Sequence, residues 1–268
     1  MKFQLKPIVA LLALATLFVS CNDDDAAENL TGTFGDAELY FDNGIAGNDL
    51  SLGTSYTNSN GESIAIERLN YIVSNVVLIK EDGTEYAYPK ADSYFIVNEA
   101  AQQLTMHLEA IPAGDYKKVR FGVGVDDAQY QLGQAAQTGL WADAVSNQLG
   151  TTWQQGYGFI NMGGSFMAGN VQDDTAFTVY QNGSAHYTEV TLDLPTTARV
   201  RHNEEPSIHI KTDVNVLLDG TNKIKLADNI TDDMVIVASG ANLAALAANT
   251  QQMFTVDHVH NGAGHHEE

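Results

Sequence analysis

From Asp36 onward, apolar and polar residues mostly alternate with period two, the pattern of strands that bury one face. Ala37–Phe41 opens the series and Ser63–Leu69 continues it. Tyr71–Lys80 (YIVSNVVLIK) is a stronger run, and Glu81-Asp82-Gly83-Thr84 after it predicts a hairpin, because Asp-Gly supplies positive φ at low cost. Glu85–Tyr88 returns and Pro89 ends it. Ser93–Asn98 and Gln103–Leu108 are further strand candidates, and Pro112-Ala113-Gly114-Asp115 reads as a turn. Tyr116–Val125 then places Val119, Phe121, Val123 and Val125 on one face, with Lys118, Arg120 and two glycines on the other. Residues 127–150 lose the rhythm and predict one or two short helices in a long excursion between strands. Strand patterns resume at Gly156–Phe166, Ala176–Tyr180, His186–Leu194 and Ser207–Leu218, and Leu243–Met253 reads as a helix of small residues. Together these elements predict a mainly β fold, an antiparallel β-sandwich with a helical insertion and a short C-terminal helix.

No internal repeat or composition break marks a second domain. The expected organisation is residues 1–20 as a signal peptide, 21–35 as an acidic tether, 36–261 as one β-sandwich domain and 262–268 as a His/Glu tail. Hydrophobic residues make up 44% of the chain, enough for a normal core. With 34 acidic against 13 basic residues the net charge is −21, which excludes a nucleic-acid binder, since neutralising phosphates needs clustered Lys and Arg. The same balance argues against docking on an anionic membrane through a basic patch.

The N-terminus changes the picture. Lys2 and Lys6 precede the apolar run Pro7–Val19, which is too short to span a bilayer but has the size and flanks of a secretory signal. The single cysteine, Cys21, follows in the context Phe18-Val19-Ser20-Cys21, which resembles a bacterial lipobox. The expectation is a lipid-anchored outer-membrane lipoprotein, facing the periplasm or the cell surface. Asn22-Asp23-Asp24-Asp25 after it is a solvated spacer, and it also resembles a surface-export signal. Loss of the two leader lysines leaves 11 basic residues against 34 acidic ones.

Candidate chemistry is concentrated at the C-terminus. No G-x-S-x-G, H-E-x-x-H, P-loop or dinucleotide fingerprint occurs, and no nucleophile–base pair can be assembled, so a binding protein is expected and not an enzyme. Half of the eight histidines lie in the last eleven residues. In Asp257-His258-Val259-His260, the two imidazoles at i, i+2 share one side of a strand, where they can ligate copper or zinc with Asp257 as an outer partner. The bland reading of the pair is hydrogen bonding that fixes the last strand, and that of His265-His266 a polar tail. His107 and His209 read as surface residues. Trp141 and Trp153, the two tryptophans, read as core anchors.

Several stretches together resemble a known family. Leu69-Asn70-Tyr71-Ile72-Val73-Ser74-Asn75-Val76 is similar to its Tyr-Ile-Ser-Asn strand. Ile111-Pro112-Ala113-Gly114-Asp115-Tyr116, with Phe121-Gly122-Val123-Gly124-Val125-Asp126, is similar to its Pro-Ala-Gly-x-Tyr and Phe-x-x-Gly-Val-Asp segments. Trp153-x-x-Gly156-Tyr157-x-Phe159 matches its aromatic motif, and Asp257-His258-Val259-His260 its usual ending. The family is the MbnP-like family, named for a methanobactin-associated copper-binding protein, and the resemblance runs from Glu38 to Asn261. It implies an exported β-sandwich that binds copper. It also implies that a dihaem peroxidase-type partner oxidises a Trp, here Trp153, to a kynurenine that joins His258 and His260 as ligands. The chain departs from the family at two positions where relatives often carry His: it reads Phe41-Asp42-Asn43 and Tyr180-Gln181-Asn182-Gly183. Thr151 stands where relatives often have another Trp. The competing expectation is a metal-free surface lipoprotein that binds a protein or glycan through residues 127–155, with Tyr130 and Trp141 as the contact.

Overall fold

Eight β-branched or aromatic residues are spread between Ile64 and Ile79, and Ser63–Lys80 forms one eighteen-residue strand where the pattern alone suggests two. The computed structural model describes residues 29–169, 174–231 and 234–262. The leader, Cys21, His265 and His266 lie outside these described residues. Among the described residues no helix is long and apolar enough to cross a membrane.

In chain order the strands are β1 (Phe34–Ile45), β2 (Asn48–Asp49), β3 (Ser55–Thr57), β4 (Ser63–Lys80), β5 (Glu85–Ala87), β6 (Tyr94–Asn98), β7 (Thr105–Pro112) and β8 (Gly114–Val123). They continue with β9 (Gly158–Met167), β10 (Thr175–Asn182), β11 (Thr188–Val200), β12 (Glu205–Asp213), β13 (Ile230–Thr231), β14 (Met234–Val237) and β15 (Phe254–Gly262). Four helices, α1 (Asp127–Tyr130), α2 (Thr138–Ser146), α3 (Val216–Asp219) and α4 (Ala241–Thr250), are accompanied by short 3₁₀ turns.

The strands form two sheets. The smaller runs β15-β12-β1, with β2 and β7 both paired to β1. The larger runs β11-β8-β4-β9-β10-β14-β13, with β3, β5 and β6 also on β4. Mainly β structure and the sandwich agree with the sequence pattern, but the sheets are mixed and not wholly antiparallel: β1 pairs with β12 and β10 with β14 in parallel. Period two reveals which side of a strand is buried; it carries no information on the direction of the neighbour.

The two turn signals fare differently. Gly83, at φ 84°, turns the β4–β5 hairpin as the Asp-Gly signal predicts. Pro112–Asp115, by contrast, is not a hairpin turn. Ala113 is the one residue between β7 in the smaller sheet and β8 in the larger, so the chain changes sheets there. Within β4 the register with β8 shifts between Ser74 and Val77, where Asn75 adopts φ 52°, a left-handed conformation that Asn tolerates better than most residues.

Between the sheets, Phe41 meets Tyr71, Phe121 and Phe254 edge to face, with centroids 5.7–6.4 Å apart. Leu39, Val119, Ile208 and Ile210 are fully buried in the same core. A second apolar cluster lies elsewhere. Ile72 alternates with the core-facing Tyr71 and Val73, so it points to the outer side of the larger sheet, where Trp141, Tyr157, Phe159 and Val125 cover it. The helical insertion is therefore packed onto that outer side.

Candidate metal-binding face

The outer side of the smaller sheet gathers histidines from three strands. In β1, β12 and β15 the buried residues Leu39, Ile208 and Val259 alternate with Glu38 and Tyr40, with Ser207 and His209, and with His258 and His260. Strand register then lines them up in rows. One row crosses the sheet as Thr105, Tyr40, His209 and His258; the next as His107, Glu38, Ser207 and His260. Four of the eight histidines share this face, although β7 and β15 lie far apart in sequence.

Within the first row, the imidazoles of His209 and His258 stack, with centroids 4.1 Å apart and planes 27° from parallel. Tyr40 packs against the other side of His209 at 5.0 Å. Burial, then the nearby His258, push the His209 pKa below the ordinary imidazole value, and His260 adds to this; Asp42 and Asp257 oppose it. His209 is therefore held neutral, the form that ligates metals. Asp257 is the extra residue of a bulge, since His209 pairs with His258 and Ile210 with Val256. The bulge places the Asp257 carboxylate 2.9 Å from His258 Nδ1. That hydrogen bond, with Lys211 3.7 Å away, holds the Asp257 carboxyl below the usual range. A carboxylate on Nδ1 leaves Nε2 as the open donor, the arrangement that commonly supports a histidine ligand. Borderline nitrogen donors of this kind suit copper.

Trp153 lies elsewhere. It opens a 3₁₀ turn, stacks on Tyr130 at 4.8 Å and meets Trp141 and Tyr157 edge to face at 5.2 and 5.9 Å. The Tyr130 hydroxyl donates to the Trp153 carbonyl (2.9 Å), and that of Tyr157 to Gln137 Oε1 (2.9 Å). Burial raises the Tyr157 pKa. This cluster sits on the outer side of the larger sheet, so the structure does not bring Trp153 to His258 and His260: the three expected ligands divide between opposite outer sides of the sandwich. Trp141 is only 8% exposed, so it is a core anchor and offers little contact surface.

The two family positions that here carry amides are also fully engaged. Asn43 is buried, donates to Glu99 (2.8 Å) and accepts from the Tyr71 hydroxyl (2.9 Å). Gln181 is buried, donates to the His186 carbonyl (3.0 Å) and accepts from Thr250 (2.7 Å). Amides satisfied on both their donor and acceptor sides hold the fold at these positions. Sequence reading treats His209 as an isolated surface residue; its partners become visible only through the parallel β1–β12 pairing and the β12–β15 register.

The model of the MbnP family matches residues 34–238. Among solved structures the chain is similar to MbnP from Methylosinus trichosporium, at 12% identity, with a TM-score of 0.46 and coverage of 86% of this chain and 99% of that one. No curated protein matches. The match to the family model spans most of the sequence, from the first strand to the end of the larger sheet, and the chain belongs to the MbnP family.

Proposed function

We propose that this protein is an exported, lipid-anchored copper-binding protein whose copper ligands are the stacked imidazoles of His209 and His258, with His260 beside them on the same strand face. The observation that carries the reading is the His209–His258 pair, with one ring kept neutral by its surroundings and the other backed by Asp257. Family membership supports the copper context. The amides at Asn43 and Gln181 favour a ligand set on the outer face over one inside the sandwich. Copper when bound is a charged centre held by imidazole nitrogen; the chain's part is to present two such donors on adjacent strands and to favour the neutral form of His209. Cys21 is the lipid attachment point in this reading, and Trp153 is a site of oxidation to kynurenine by a dihaem peroxidase-type partner.

Cu(I) titration against a chromophoric chelator tests it, using untagged protein that carries His265→Ala and His266→Ala. Replacing His209 or His258 by Ala is expected to weaken Cu(I) by at least about tenfold, as loss of a ligand or its support does elsewhere. Unchanged affinity in the double replacement refutes the placement.

A further inference from the structure

We infer that the same face carries a separate site for a divalent first-row cation such as zinc, built from Glu38 and His107 of the neighbouring row together with Glu205, two residues before Ser207 on β12. One ligand atom from each of these three residues lies within 4.8 Å of the others, a spacing that a single ion can bridge. The three come from different strands, β1, β7 and β12, so the sheet itself sets their positions. His107 Nδ1 is 3.0 Å from Glu38 Oε1.

The chemistry of this set differs from that of the first row. Two carboxylates and one imidazole are hard-to-borderline donors, suited to a divalent ion and poorly suited to Cu(I), which prefers softer partners. Glu38 is only 4% exposed although it lies on the outer side, so its carboxylate is largely withdrawn from water. Glu205 is half-buried and His107 remains half open to solvent, which leaves a route for an ion to enter. Three protein ligands also leave a fourth position for water or another donor.

The two rows are only two residues apart along each strand, about 7 Å. They are chemically distinct, so each can be tested without the other.

Zn(II) titration by calorimetry, on untagged full-length protein carrying His265→Ala and His266→Ala, provides the test. One equivalent of Zn(II) is expected to bind. His107→Ala and Glu205→Gln, both at partly exposed positions, are each expected to weaken it at least tenfold, while His209→Ala leaves it within twofold. Circular dichroism of the two variants shows whether they have kept their strands, which separates loss of the site from loss of the fold. Absence of saturable Zn(II) binding by the parent protein, or affinity unchanged in both folded variants, overturns the proposal. Zn(II) binding lost in His209→Ala but kept in His107→Ala overturns it as well, because it moves the ion to the other row.

Discussion

His209 and His258 face each other ring on ring, 4.1 Å apart, on strands that are antiparallel neighbours. Protonating His209 places a positive charge in a partly buried position beside another imidazole, which is why its pKa lies low. The unfolded chain takes up this proton at the ordinary imidazole value of 6.5, and the folded chain only at lower pH. The folded state thus binds fewer protons than the unfolded one across that window. Stability is retained above pH 6.5 and falls as pH drops below it toward the depressed folded value. Urea denaturation between pH 8 and pH 5 is expected to show a smaller loss for His209→Gln than for the parent; equal slopes refute the assignment to this residue.

Asp126 organises the junction between β8 and the insertion. It accepts from Lys90 Nζ (2.7 Å), Asn75 Nδ2 (2.9 Å), the Tyr94 hydroxyl (3.0 Å) and the Gln129 amide (3.1 Å), which caps α1. Burial pushes its carboxyl up, but these hydrogen bonds outweigh burial and hold it down at about 2. Its contribution is therefore present above the ordinary carboxylate value of 3.8 and is lost as pH falls through about 2. Asp126→Ala leaves Asn75 and Tyr94 without their acceptor and should cost about 2–4 kcal/mol in chemical denaturation. A loss below about 0.5 kcal/mol contradicts this role.

Gly122 in β8 lies under the Tyr187 ring, and a Cβ there overlaps its hydroxyl and ring carbons. Tyr187 is not free to retreat, since its hydroxyl accepts from Asn75 Nδ2 at 2.7 Å. Gly122→Ala should lower stability by about 1–3 kcal/mol through overpacking. In a Tyr187→Ala background the same change should cost much less, so the pair is non-additive. Additive losses in the four-member cycle count against a steric origin.

Trp153 stacks on Tyr130 and is partly buried, less so than Trp141. The Trp153 peptide of protein purified from its native host should carry the kynurenine mass increment, while Trp141, which is buried, should remain intact. An unmodified Trp153 peptide rules out the modification. Because Trp153 lies away from the histidine face, Trp153→Phe should leave Cu(I) affinity unchanged; a large loss brings the ring back into the copper site.

Much of the strand content was legible because period-two alternation is a direct image of one-sided burial. Val119, Phe121 and Val123 are buried as their spacing demands. The Asp82-Gly83 hairpin and the helices of the excursion were legible for equally local reasons. Pairing partners were not. The parallel match of Tyr40 with His209 joins the two ends of the domain, and no local feature of either strand announces it. The same limit applies to the candidate site: His258 and His260 stood out as a spaced pair, but Glu38, His107, Glu205 and His209 became site residues only through register. The aromatic motif at Trp153 was visible, while its position on the other side of the sandwich was not.

The histidine face is assembled from β1, β7, β12 and β15, which include the first and the last strands of the domain. A partly synthesised chain therefore presents these ligands on unpaired strands. The His209–His258 pair does not exist until β15 docks against β12. Contacts of such long sequence separation form late and slowly. An ion held by that pair consequently cannot template the early steps of folding. It can only lock the finished sandwich, by holding the terminal strand in place once it has arrived.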